Sequence, residues 1–230
     1  MELLLMPTKL YHLIFSLFPF ESDLLKKHKV NFSYVGHHLA QSLPKDVNID
    51  VIKKNFNISD QKKVIAILPG SRKSEIKYHG RPLIDFINLY KKGNEDSEIV
   101  LALNKLEDMP EIFKGIKDKI KIVFGETQKV LSMADIAVVA SGTATLEAAI
   151  LAKPMVVIYK SNLISNFILS NFFLKSKYIS LPNILSQSEI VPELRQNKVT
   201  GLEILSKVNS VFLSESKIIN QLSSLKDNLS

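Results

Sequence analysis

Cysteine is absent from this 230-residue chain, and so is tryptophan. Without cysteine there is no disulfide scaffold, no thiolate metal site and no cysteine nucleophile. Long apolar runs are missing as well. No stretch reaches the ~18 uninterrupted apolar residues of a spanning helix. The apolar start, residues 1–20, carries Lys9, His12 and two prolines, with neither a basic beginning nor a small-residue cleavage site. No secretory signal is therefore expected. Arginine is scarce: only Arg72, Arg81 and Arg195 stand among 30 basic residues. The lysines that make up the rest are spread along the whole chain. The net charge of +7 is thus not gathered into a stripe, as nucleic-acid recognition would require. No nucleic-acid partner is expected, and the rare arginines become informative.

What is present describes a globular α/β protein. Hydrophobic residues are 46% of the chain and charged residues 23%, which suits a packed core and argues against disorder throughout. Residues 10–18 read as an apolar strand closed by Pro19, residues 21–29 as a helix, and residues 32–35 as a short strand ending at Gly36. Residues 41–61 are polar with mixed charge and read as a linker holding one helix at most. A domain boundary is expected there, with residues 1–44 on one side and 45–230 on the other.

An alternation follows. Strands are expected at 64–68, 98–103, 120–124, 135–140 and 154–159. Helices are expected at 75–90, 107–117, 127–133, 143–152 and 163–174, and from Gly201 to near the end. Short apolar strands alternating with helices predict βαβ units and a doubly wound parallel sheet of five or six strands. In the common strand order, ligands sit where the winding reverses, between the first and fourth strands. The first of these strands ends in Pro69-Gly70-Ser71-Arg72 and the fourth in Ala140-Ser141-Gly142-Thr143.

Those two turns carry the candidate chemistry. Gly142 lets backbone amides approach a ligand, and Ser141 and Thr143 can cap the helix or donate to phosphate. A helix N-terminus there favours an anion. Glu147 stands one helical turn further on, near the mouth, where it can hold ribose hydroxyls. Arg72 can fork onto a diphosphate. Asn183, after Leu181-Pro182, can form a turn or read a ligand. Gln196 carries no signal of its own. His37 and His38 lie beside Gly36 but are two adjacent histidines only, a poor metal site. No D-x-D, H-E-x-x-H, Gly-x-Ser-x-Gly or phosphate-loop motif occurs, which argues against metal-bridged transfer and against an α/β-hydrolase. No cofactor and no metal are expected.

In order along the chain stand Phe18-Pro19-Phe20-Glu21, Tyr34-Val35-Gly36-His37, Leu68-Pro69-Gly70-Ser71-Arg72, Ala140-Ser141-Gly142-Thr143-Ala144 with Leu146-Glu147, Ser180-Leu181-Pro182-Asn183, and Glu193-Leu194 with Gln196. This ordered set resembles lipid-A-disaccharide synthase. His38 stands where that family usually has proline.

The resemblance implies an inverting glycosyltransferase of the two-Rossmann B fold. It would join UDP-2,3-diacylglucosamine to 2,3-diacylglucosamine 1-phosphate, giving the lipid A disaccharide and UDP. It implies that residues 45–230 are the UDP-sugar-binding Rossmann-like half, and that residues 1–44 are the tail of the acceptor half. By the same resemblance Arg72, Ser141, Gly142 and Thr143 hold the diphosphate, Glu147 the ribose, and Asn183 and Gln196 the sugar end. The family's catalytic aspartate has no counterpart here, so the catalytic residue is unassigned. His37, His38 and Glu21 are the local candidates for a base. A cytoplasmic location, with peripheral contact to the inner membrane through residues 163–174, is implied too. Other readings stay open: a non-catalytic remnant, one subunit of a split synthase with a separate N-terminal half, or another UDP-sugar enzyme such as a UDP-GlcNAc 2-epimerase. A homo-oligomer is also left open.

Overall fold

The computed structural model describes residues 13–39, 47–105, 111–161 and 177–227. The first segment holds β1 (Ile14–Ser16), α1 (Pro19–Lys27) and β2 (Phe32–Tyr34). β1 and β2 pair in parallel, Ile14 beside Phe32 and Ser16 beside Tyr34. The polar stretch expected to be a linker does contain one helix, α2 (Ile49–Asn55). Asn48 caps it, its Oδ1 accepting from Val51 N at 3.1 Å.

The alternating region runs β3 (Val64–Leu68), α3 (Lys73–Lys91), β4 (Glu98–Leu103), α4 (Glu111–Lys114), β5 (Lys121–Phe124), α5 (Thr127–Met133), β6 (Ile136–Ala140), α6 (Thr143–Ile150) and β7 (Met155–Tyr159). It continues with α7 (Leu181–Ser186), β8 (Glu193–Arg195), α8 (Gly201–Leu213) and α9 (Glu215–Asp227). The sheet is six-stranded and parallel, in the order β5-β4-β3-β6-β7-β8. β3 and β6 are neighbours, with Ile65 beside Ile136 and Leu68 beside Val139. All five residues of each are buried. Central strands of a parallel sheet are covered on both faces by their crossover helices, so they read as continuous apolar runs rather than alternating ones.

Helix α3 covers one face. Leu83, Phe86 and Tyr90 are fully buried, and the Phe86 and Tyr90 rings meet at 5.7 Å. Each such side chain contributes roughly 1.5–3 kcal/mol by leaving water. α8 starts against the same helix. A Cβ on Gly201 would lie 2.7 Å from both Asp85 Cβ and Phe86 N, so only glycine permits this approach.

Four expectations differ from the structure. Leu181-Pro182-Asn183 opens a helix rather than a turn, because a proline in the first turn gives up an amide that has no intrahelical acceptor anyway. The sixth strand, β8, lies where no strand is expected, since three residues with two charges carry no strand signal. The C-terminal helix is two helices, broken at Ser214, whose amide caps α8 by donating to Val211 O. The helix expected at 107–117 is seen as α4 alone, residues 106–110 lying outside the described residues. The helix expected at 163–174 lies wholly outside them. Among the described residues no helix is long and apolar enough to cross a membrane.

Candidate functional site

The turns after β3 and β6 open onto one cleft of about 350 Å³. Arg72, Ser141, Gly142, Thr143 and Glu147 all line it. The structure therefore brings together five of the seven residues singled out by sequence.

Each turn is built for its place. Gly70 sits at φ +119°, and a Cβ there would come within 2.5 Å of Glu75 Oε2. That carboxylate caps the start of α3, accepting from Ser71 N at 3.0 Å and Arg72 N at 3.3 Å. The Arg72 side chain is 79% exposed, and its only ion pair among the described residues is with Glu75 at 3.5 Å. A pair so open to solvent contributes little to stability. The guanidinium can therefore turn to an anion in the cleft at small cost.

In the second turn Ser141 N donates to Ile158 O at 2.9 Å and Ser141 Oγ to Ile179 O at 2.8 Å. Thr145 closes the first helical turn onto Gly142 O, through its amide at 3.1 Å and its hydroxyl at 2.7 Å. Among the described residues the amides of Gly142, Thr143 and Ala144 have no acceptor. A Cβ on Gly142 would meet nothing within 4 Å, and its φ of 160° is extended. The fold itself does not demand glycine there. What glycine leaves open is the cleft, where a ligand can come close to these donors.

Glu147 lines this cleft and a neighbouring one of about 410 Å³, formed with residues 125–129. Partial burial pushes its carboxyl above the usual range, and the charge of His38 opposes that shift. His38 comes from the N-terminal segment, which docks here. Leu39 packs with Leu146 and Ile150 of α6, and Phe18 joins the cluster.

Asn183 and Gln196 are not among the lining residues. Asn183 is fully buried. Its Nδ2 donates to Val191 O at 2.8 Å and to Glu193 Oε1 at 2.9 Å. Its Oδ1 accepts from Ile190 N at 2.8 Å and Val191 N at 3.0 Å. Two donors and two acceptor positions are all an amide has, so nothing remains for a ligand. Gln196 Oε1 accepts from Ser161 N at 3.3 Å, tying the end of β7 to the end of β8. Glu193 was not among the sequence candidates, yet it organises this side. Its carboxylate accepts from Ile179 N at 3.0 Å, from Ser180 N at 2.9 Å and Ser180 Oγ at 2.7 Å, from Asn183 Nδ2, and from Arg195. It thereby places Ile179 O, the acceptor of the Ser141 hydroxyl.

Two of the three local base candidates, Glu21 and His37, are already engaged, whereas His38 is exposed and stacks on His37. Glu21 Oε2 accepts from Ser16 Oγ and from the amides of Leu17 and Phe18. His37 is buried between the Phe18 and His38 rings, and its Nδ1 accepts from Leu39 N at 3.2 Å. Burial, and then the charge of His38, lowers the His37 pKa. Among the described residues no group of three or more His, Asp or Glu could hold a metal ion. Asn104 and Thr127 also line the main cleft. Their signal is positional: each is a polar residue just past β4 or β5, on the ligand side of a parallel sheet.

A model of the Lipid-A-disaccharide synthetase family matches residues 6–228. The chain belongs to that family. It is 34% identical to the lipid-A-disaccharide synthases of Cellvibrio japonicus, over 87% of this chain and 53% of that one, and of Colwellia psychrerythraea, over 90% and 54%. The chain thus spans about half the length of these curated relatives. Among solved structures it resembles the UDP-GlcNAc 2-epimerase of Neisseria meningitidis bound to UDP-GlcNAc, with TM-score 0.60 and 15% identity over 94% of this chain and 56% of that one. It also resembles WaaG, a glycosyltransferase involved in lipopolysaccharide biosynthesis, with TM-score 0.57 and 9% identity over 93% and 58%. At these identities the structures show the shared fold alone, a Rossmann-like parallel sheet with flanking helices.

Proposed function

We propose that this chain is the donor-binding half of a lipid-A-disaccharide synthase. It holds UDP-2,3-diacylglucosamine for transfer to 2,3-diacylglucosamine 1-phosphate. The observation that carries the reading is the single cleft joining Arg72 to the amides of Gly142, Thr143 and Ala144, which have no acceptor among the described residues. In this reading Arg72, Ser141, Gly142 and Thr143 hold the diphosphate and Glu147 the ribose, with the neighbouring cleft beyond Glu147 left for the uracil ring. Asn183, Glu193 and Gln196 brace the loops rather than touch the sugar. Residues 1–44 belong to the acceptor side, and the lipid acceptor and the general base belong with the other half, while membrane contact through residues 163–174 belongs to this one.

The reaction sets the task. The acceptor hydroxyl attacks the anomeric carbon, its proton passes to a base, and the carbon–oxygen bond to UDP breaks. Negative charge grows on the diphosphate as it leaves. Fixed donors and the partial positive charge of the α6 N-terminus meet that charge without reorganising. Alignment of the two reactants, worth ~7–11 kcal/mol of barrier, needs the acceptor half.

The test is an assay of the purified chain with both lipid substrates, alone and with the separately expressed N-terminal half of the Cellvibrio relative. Disaccharide formed only on adding that half is the expected result. UDP bound but no product in either case would make the chain a non-catalytic remnant, and robust turnover by the chain alone would contradict the division of labour.

A further inference from the structure

His79 is 1% exposed on helix α3 and takes no part in the chemistry above. Its Nδ1 lies 2.6 Å from Pro69 O, and its Nε2 lies 3.0 Å from Lys160 N. The backbone partners fix the ring's protonation. A carbonyl oxygen only accepts and a backbone N–H only donates, so the proton sits on Nδ1 and Nε2 accepts. A doubly protonated ring would set N–H against N–H at Lys160 and lose that bond.

The two bonds join the exits of two non-adjacent strands, β3 and β7. Pro69 leads directly into Gly70-Ser71-Arg72, which line the cleft. Lys160 is the first residue past β7, a strand separated from β3 by β6. Two residues before it, Ile158 O accepts from Ser141 N. One residue after it, Ser161 N donates to Gln196. The buried ring thus links the turn after β3 to the end of β7, and Ile158 O ties the turn after β6 to that same strand. We propose that His79, as the neutral ring with its proton on Nδ1, is a positioning residue that fixes the arginine-bearing turn against the outgoing end of β7. Protonation of the ring loosens the diphosphate crevice. This inference rests on the reading that the crevice holds a nucleoside diphosphate.

The surroundings favour the neutral ring. Burial, the largest influence, lowers the His79 pKa from 6.5. Two charged groups act on it: Glu75, one helical turn back on α3, favours the charged form, and Lys160 at the end of β7 disfavours it. On the α4 side the next residue, Gly80, faces the apolar side chains of Ile112 and Phe113.

The probe is UDP-glucose, a diphosphate diester that does not itself titrate near neutrality. Its affinity is measured from about pH 7.5 to about pH 4.5, reaching below the ordinary histidine range because burial lowers this ring, for the wild type and for His79→Gln. The glutamine amide offers a donor and an acceptor but does not titrate. Any slope due to Glu147 is common to both proteins. The wild type should lose about three- to tenfold more affinity on acidification than His79→Gln, the scale of one hydrogen bond. Equal slopes would overturn the proposal. Nitrogen-15 spectra of the ring, and of the Gly70, Ser71 and Lys160 amides, give a second readout that needs no ligand. A proton on Nδ1, with those amides following the His79 titration, is expected. A proton on Nε2, or amides indifferent to the titration, would overturn it. If UDP-glucose binds neither protein at any pH, the UDP reading fails, and the spectra alone decide the role of His79.

Discussion

Asn183 and Val191 are bonded twice over, Nδ2 donating to the Val191 carbonyl at 2.8 Å and Oδ1 accepting from the Val191 amide at 3.0 Å. This double bond across the loop between α7 and β8 makes Asn183 a brace. Replacing it with aspartate keeps the shape but loses both donors and sets a second carboxylate beside Glu193. Asn183→Asp should lower unfolding free energy by about 2–4 kcal/mol, the cost of leaving buried partners unsatisfied. Denaturant melts check this. Unchanged stability with weakened UDP-sugar binding would instead make Asn183 a ligand contact.

Arg72 is expected to behave in the opposite way. Its side chain is exposed and its ion pair weak, so Arg72→Ala should leave stability within about 0.5 kcal/mol. UDP affinity should fall by about 1.5–3 kcal/mol, the scale of a charged hydrogen bond. Arg72→Lys should recover only part, since an ammonium cannot fork onto two phosphate oxygens. Calorimetry beside thermal melts separates the two effects.

Glu147 gives a pH-dependent signature. Its folded carboxyl pKa is raised from 4.5 by burial, against the opposing charge of His38. A raised acid favours the protonated folded form. Its contribution to stability is therefore present below pH 4.5 and lost as pH rises through the folded value. Glu147→Gln removes the charge, so it should be more stable than the wild type at neutral pH, with the difference shrinking toward acid. It should also bind UDP about tenfold more weakly if the carboxylate holds the ribose hydroxyls. Chemical melts across the pH range, with UDP titrations at neutrality, would show both. Equal melts at every pH would contradict the assignment of its environment.

The central sheet is legible in the sequence because its strands are unbroken apolar runs bounded by turns. Val64–Leu68 and Glu98–Leu103 are seen where they were expected. The edge is not legible: Glu193–Arg195 is a strand only because Val157 and Tyr159 stand beside it in the ladder. The cleft residues were visible because each follows a strand end, where a parallel sheet collects its ligands. The role of Asn183 is not legible because asparagine serves ligands and loops equally well, and its four bonding partners come from residues 190–193. His79 was invisible for a related reason. It occupies a core-facing place between Ile76 and Leu83 in the helical repeat, and its partners, Pro69 and Lys160, are backbone atoms that only the fold brings near.

Titrating UDP into the purified 230-residue chain by calorimetry tests most directly whether the crevice between β3 and β6 is a UDP site. Binding at a single site per chain, unchanged by EDTA and weakened by Arg72→Ala, is the predicted result. A folded chain that takes up no UDP, or that takes it up only with a divalent metal, would contradict it.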